Sequence, residues 1–166
     1  MVISAIDWGG FLQDALFAAM AAIGFSSISH TPRRAYFVCA LAAALAHSLR
    51  FLLMQPEALP DNIILDSSVA ALLAGFVAVL FSPIIKVPAE ACLFPALLPM
   101  IPGMYAYRAI VGLVGCMGAS AEPEVMHNLY LLSYNGLTCI GIVLGMVIGA
   151  NIPVFMLKRI SFQATR

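Results

Sequence analysis

The chain has 166 residues, of which 63% are hydrophobic and only 10% are charged. Soluble domains are about 45–50% apolar and about 25% charged, so this composition excludes an ordinary soluble protein and predicts a single integral membrane domain covering residues 1–166. Eight basic and eight acidic residues balance, so we expect no binding of nucleic acid.

Cysteines and histidines form no recognisable metal or redox motif. The four cysteines lie in apolar surroundings without a CxxC spacing, and we expect them to be small buried hydrophobic residues. The three histidines fall in separate segments, and no catalytic signature of a soluble enzyme is present. Asp7 and Asp14 stand where a cleavable signal peptide would be basic, so none is expected. The sequence predicts a non-enzyme without cofactor or metal.

Hydrophobic segments long enough to cross a bilayer recur along the chain, and about 20 apolar residues suffice for a helical crossing. They predict an all-α, polytopic transmembrane helix bundle of about five spans, one of them interrupted at Pro99–Gly103. A four-span arrangement that loses one segment remains an alternative. The expected spans are approximately Phe11–Ser29, Ala35–Met54, Ile63–Ser82, the interrupted region Pro88–Met117, and Val125–Leu157, which Pro153 is expected to end or bend.

The interrupted region contains three prolines within eight residues, at Pro95, Pro99 and Pro102. Proline removes a backbone donor and clashes with the preceding turn, and Gly103 is expected to allow unusual backbone angles. In hydrocarbon, broken backbone survives only inside protein or beside a wet cavity, and transporters often bind substrate at such breaks. A plain proline kink or a short loop is the alternative. The break and the residues that follow it, Tyr105, Tyr107 and Arg108, are therefore candidates for a substrate pathway.

Two charges fall within the first two spans, where a charge costs about 2.5–3.5 kcal/mol unless it is paired or faces a cavity. Asp14 and Arg50 both lie 18 residues from Pro32, the predicted turn between these spans. Both are thus expected about 27 Å from the turn. His47 shares the helix face of Arg50. A proton or substrate relay of Asp14, His47 and Arg50 is one hypothesis, and a structural Asp14–Arg50 ion pair is the other.

The last span combines a glycine stripe with polar side chains. Gly141, Gly145 and Gly149 repeat at four-residue spacing and are expected to form a packing surface, within this chain or against another. Asn135 and Thr138 share a face and fit either a polar pathway or hydrogen bonds to a neighbouring helix.

Basic residues predict the orientation, because cytoplasmic loops carry an excess of lysine and arginine. Arg33–Arg34, Lys86 and Lys158–Arg159 are expected in the cytoplasm, and the acidic loops at 55–62 and 118–124 outside. Five spans then place the N-terminus outside and the C-terminus in the cytoplasm.

Several of these motifs together resemble the small (YjjB-type) subunit of the split threonine/serine exporter-like family. The most specific is Pro99-Met-x-Pro102-Gly103-x-x-Ala106-Tyr107. Supporting matches are Gln13-Asp14, Pro32-x-Arg34-Ala35, His47-x-x-Arg50-x-x-Leu53-Met54, Glu122-Pro123 and Asn135. The last span runs longer before Pro153 than the family pattern.

The resemblance implies a five-helix unit that works with a larger membrane subunit, in a homo- or hetero-oligomer, in a bacterial inner membrane. It implies export of small polar metabolites, which are threonine and serine or a dicarboxylate such as succinate. No ATP-binding signature is present, so secondary transport is expected. The alternative is a structural subunit that scaffolds a transporting partner without contacting substrate. Arg50 and Arg108 suit a carboxylate, which all these substrates possess.

Overall fold

The computed structural model describes residues 8–55 and 62–157. The described chain is helical almost throughout, which confirms the all-α prediction. Its elements are α1 (Trp8–Ile28), a 3-10 turn (Arg33–Ala35), α2 (Tyr36–Leu53), α3 (Ile63–Ile85), α4 (Ala89–Leu97), a second 3-10 turn (Leu98–Met100), α5 (Gly103–Gly118) and α6 (Glu122–Met156).

Four described helical segments are long and apolar enough to cross a membrane singly: α1, the segment Arg33–Leu53, α3 and α6. The pair Ala89–Met100 and Gly103–Gly118 passes the same criterion only jointly and is bent at the break between its helices. Counting this pair as one crossing makes five. The structure therefore confirms a polytopic bundle of four to five spans with one interrupted helix.

One predicted boundary of α6 is wrong, and Pro153 does not end the helix. Glu122–Glu124 were expected in an acidic loop, but they form the first turn of the helix, where carboxylates favour the positive end of the helix dipole. Pro153 was expected to end or bend the last span, yet the helix continues past it to Met156. The helical hydrogen bonds resume after Pro153, whose carbonyl accepts the Leu157 N–H at 2.9 Å.

Helix α3 has well-defined signals at both ends. The Asn62 side chain accepts hydrogen bonds from the N–H groups of Ile64 and Leu65, the arrangement of a helix N-cap. At the other end, Lys86 adopts a left-handed conformation with φ 52°. The Ser82 hydroxyl donates to the carbonyl of Val87 at 2.7 Å and secures this turn. These contacts fix where the chain enters and leaves α3.

Contacts among the helices divide the described chain into two compact units, residues 8–100 with 145–157 and residues 101–144. In the first unit, α1 and α2 form the predicted hairpin, and α4 packs against both. Its core consists mostly of small residues, which let helices approach closely where hydrocarbon offers little hydrophobic drive. Buried alanines of this core include Ala18, Ala22, Ala42, Ala43, Ala46, Ala70, Ala71 and Ala74.

The glycine stripe of α6 packs within the chain. Cβ atoms added at Gly145 and Gly149 would collide with Ser68 of α3. On α3, a Cβ at Gly75 would lie 2.6 Å from the carbonyl oxygen of Ala150. Only hydrogen side chains allow this approach, so Gly145 and Gly149 of the stripe belong to the α3–α6 contact.

In the second unit, α5 packs against the first part of α6. A Cβ added at Gly112 would lie 2.7 Å from the backbone nitrogen of Leu132, and one at Gly115 would lie 2.6 Å from the Asn128 side chain. Tyr130 and Tyr134 stack on α6 with ring centroids 5.7 Å apart. Glycines on α5 thus serve the same packing role as those on α6.

Two of the basic segments used for orientation lie at one end of the first unit. The Arg34 guanidinium donates to the carbonyl of Lys86 at 2.7 Å, across 52 residues of sequence. Lys158–Arg159 and most of the predicted loop at 55–62 lie outside the described residues. Orientation in the membrane remains a prediction.

Candidate functional site

The first pair of polar residues lies between α1 and α2. Asp14 Oδ2 is 3.2 Å from Nδ1 of His47, and the side chains are 37% and 15% exposed. When the carboxylate is ionised it can only accept, and Nδ1 then donates to it. Nε2 is buried and has no hydrogen-bond partner among the described residues. One ring nitrogen of His47 is therefore engaged by Asp14, and the other is buried without a described hydrogen-bond partner.

The described contact of Asp14 is to His47. Equal distance from Pro32 predicted Arg50, whereas the structure gives the contact to His47, one turn nearer the hairpin. Distance along a hairpin sets depth only to about one helical turn, and the rotation of each helix about its axis decides which side chain faces across. All three candidates nevertheless lie in the first unit.

Arg50 instead reaches the interrupted helix. Its Nη1 donates to the backbone carbonyl of Met100 at 3.3 Å. Met100 is fully buried and is the last residue of the 3-10 turn before the break. Carbonyls at a helix end lack intrahelical partners, and a cation there favours the negative end of the dipole. Arg50 therefore connects α2 to the first half of the broken span.

The break itself is short. Leu98–Met100 tighten into a 3-10 turn, and Pro102 forms the N-cap of α5. Gly103 N–H donates to the carbonyl of Ile101 at 2.8 Å, and the Pro102 carbonyl accepts from Tyr105 and Ala106. The prolines therefore interrupt the span as predicted.

Gly103 does not need the special backbone freedom that the sequence suggested. No described glycine has a positive φ, and a Cβ at Gly103 would meet nothing within 4 Å. The expectation of unusual angles at this position is wrong, because Pro99 and Pro102 suffice to stop the helix. The left-handed residues are His30 and Lys86, at the ends of helices.

The remaining candidates belong to the second unit. Tyr107 is 62% exposed, Arg108 is also exposed, and Tyr105 is half-buried on the same helix. On α6, the Asn135 side chain is buried and donates to the carbonyl of Leu131, while the Thr138 hydroxyl donates to that of Tyr134. These two donors bond within their own helix.

Sequence reasoning missed two buried polar features of the first unit. Asp66 is 4% exposed in the first turn of α3, where a carboxylate favours the helix dipole. Carboxylates inside a membrane span are rare, so Asp66 could have been noticed from the sequence alone.

The second feature is a pair of buried cysteines. Cys39 on α2 and Cys92 on α4 are fully buried, their thiols are in contact, and Ser26 lies beside Cys39.

Comparisons with known proteins agree with this membrane architecture. Residues 14–156 match the family model described as "Threonine/Serine exporter, ThrE". An uncharacterized protein of Haemophilus influenzae is 37% identical over 103 residues, which are 62% of this chain and 34% of that protein. The chain thus matches about a third of the length of that relative. No solved structure matches. Because the family model covers most of the polypeptide, this multi-pass membrane chain belongs to the threonine/serine exporter family.

Proposed function

We propose that the chain is the small membrane subunit of a secondary exporter for threonine- and serine-type amino acids. The observation that carries this proposal is the Arg50–Met100 contact, which holds a cation against the last carbonyl before a broken membrane helix. Broken helices in transporters present unpaired backbone groups and charges to polar solutes. Membership of an exporter family supplies the substrate class.

Two groups of residues serve the pathway in this proposal. Asp14, His47 and Arg50 form the polar group of the first unit, where their contacts are defined. The second group surrounds the break and the polar face of α6. It consists of Pro99, Pro102, Gly103, Tyr105, Tyr107, Arg108, Asn135 and Thr138.

A larger membrane partner completes the exporter. Support comes from the Haemophilus relative, in which the match occupies only 34% of the length. Helix faces of this chain also expose many large apolar side chains, which suit lipid or a partner subunit alike. The complex is a hetero-oligomer in the bacterial inner membrane, with this chain's N-terminus outside.

A dicarboxylate such as succinate is the second candidate substrate. The guanidinium of Arg50 favours it as much as an amino acid, because a carboxylate is the group that arginine binds through two parallel hydrogen bonds. The structural-subunit alternative assigns Arg50 only to holding the broken helix in place.

Efflux from preloaded cells tests the proposal. Cells lacking their own exporter receive this chain, a larger membrane subunit of the same exporter family, or both, and release of labelled threonine, serine and succinate is followed. We expect export only when both are present, with loss of export in Arg50→Gln at equal membrane abundance. Full export by the larger subunit alone, or unchanged export by Arg50→Gln, would favour the structural-subunit alternative.

A further inference from the structure

Two turns of the first unit come together at one end of its helices. The first turn joins α1 to α2, and the second joins α3 to α4. The Arg34 guanidinium in the first turn donates to the carbonyl of Lys86 in the second at 2.7 Å. The Thr31 hydroxyl donates to the carbonyl of Ala91, at the start of α4, at 3.5 Å. Because α1, α2 and α3 are each long and apolar enough to cross a membrane, the joined turns lie at a membrane surface.

Three exposed cations are concentrated on these turns, Arg33 and Arg34 on the first and Lys86 on the second. Within residues 8–55 and 62–157, none of the three forms an ion pair with a carboxylate. Residues 28–37 and 84–91 contain a single acidic residue, Glu90, so positive charge prevails at this end of the unit. Since the Arg34–Lys86 bond joins the two turns, the cations of both can act on one anionic group.

Exposed apolar side chains adjoin the cations on the membrane side. Phe37, three residues after Arg34, is 71% exposed, and Ile84, two residues before Lys86, is 72% exposed. A free anion makes no favourable contact with such side chains. A phospholipid contacts both kinds of group, because its phosphate lies at the level of the turns and its acyl chains lie along the helices. The arrangement therefore favours an amphiphile over a free anion.

We propose that Arg33, Arg34 and Lys86 bind the phosphate of an anionic phospholipid, whose acyl chains lie against Phe37 and Ile84. Arginine matches phosphate oxygens through paired N–H donors, and lysine adds a point charge. Basic pockets between membrane helices bind anionic headgroups in this way. The bound lipid connects the α1–α2 turn to the α3–α4 turn and stabilises the first unit. This inference is independent of which solute is exported.

The test uses phosphatidylglycerol as the probe and phosphatidylcholine with the same acyl chains, which has no net charge, as the reference. The purified chain in detergent receives an equimolar mixture of the two, and native mass spectrometry measures the ratio of lipids that remain bound. The unfolding temperature at rising concentrations of each lipid supplies a second measurement. Inorganic phosphate and glycerol 3-phosphate, which have no acyl chains, form the third arm.

We expect the wild-type chain to prefer phosphatidylglycerol by about twentyfold, because each lysine or arginine near a membrane surface contributes about fivefold and Glu90 opposes one of the three. In Arg33→Gln/Lys86→Gln the preference falls close to one, although the Arg34 bond to the backbone carbonyl is kept. Arg33→Lys/Lys86→Arg is the matched control, and it keeps the preference because both charges remain. Glu90→Gln should raise the preference by about fivefold.

Three results overturn the inference. An unchanged preference in Arg33→Gln/Lys86→Gln removes the site. An equal loss in Arg33→Lys/Lys86→Arg shows that the substitutions act through folding and not through charge. Stabilisation by inorganic phosphate equal to that by phosphatidylglycerol replaces the lipid with a free anion. If the glutamine variant fails to fold, Glu90→Gln decides, and an unchanged preference there refutes the site.

Discussion

The Asp14 carboxylate on α1 lies 3.2 Å from Nδ1 of His47 on α2 and joins the two helices within the first unit. Sequence spacing had suggested Arg50 for this contact. The Asp14–His47 pair connects α1 to α2, and the Arg50–Met100 bond connects α2 to the broken span.

We predict that Asp14 and His47 are energetically coupled. Combining Asp14→Ala with His47→Ala should cost about 1 kcal/mol less than the sum of the single changes, because either single change strands a polar partner. Thermal unfolding of the purified protein in detergent measures all three variants. The cycle of Asp14→Ala with Arg50→Ala is the control and should show the smaller coupling. A larger coupling for that cycle would restore the ion pair inferred from sequence.

The prolines of the break should matter for transport more than for folding. Replacing Pro99 and Pro102 together by alanine restores backbone donors and favours a continuous helix. We expect normal membrane abundance but efflux lowered by about tenfold or more, because groups beyond the break change their register. Efflux of preloaded threonine or succinate is the measurement.

Pro83→Ala is the control for that experiment, since Pro83 is exposed inside the regular helix α3. It should leave efflux unchanged. Wild-type efflux from the Pro99/Pro102 double variant would show that the break is only a kink.

Because α3 packs closely against α6, we predict that adding a single methyl group at Gly75 destabilises the folded protein. Gly75→Ala places a Cβ 2.6 Å from the Ala150 carbonyl oxygen, and the backbone atom cannot move aside cheaply. We expect a loss of about 1–3 kcal/mol, seen as a lower unfolding temperature in detergent. Gly24→Ala on α1 is the control, because its Cβ meets nothing within 4 Å and alanine is the better helix former. Equal effects of the two changes would contradict the packing account.

Membrane topology provides a further prediction. Cysteines introduced singly at Arg33, Lys86 and Ser120 of a cysteine-free variant should react with an impermeant maleimide from different sides. We expect the first two to label from the cytoplasm and the third from outside, because the bent helix pair then crosses once. Labelling of positions 86 and 120 from the same side would make that pair a re-entrant loop.

Sequence alone determined the class and most of the fold. Hydropathy marked the spans because a helix that crosses hydrocarbon must be about 20 apolar residues long and must satisfy its own backbone. The prolines around Met100 predicted the interruption from local chemistry alone. Motifs around Pro99–Tyr107 also identified the family that the comparison over residues 14–156 confirms.

Only the tertiary structure decided which residues meet. Asp14, His47 and Arg50 were all selected as candidates, but the choice between His47 and Arg50 depended on the rotation of two helices about their axes, which depth does not determine. The role of the Met100 carbonyl could not be predicted from sequence, because every residue has a backbone carbonyl. This one is distinguished only by its position at a helix end beside the Arg50 guanidinium. The helix that packs against the α6 glycines could likewise be identified only from the structure. A stripe of glycines permits close approach but does not specify which helix approaches.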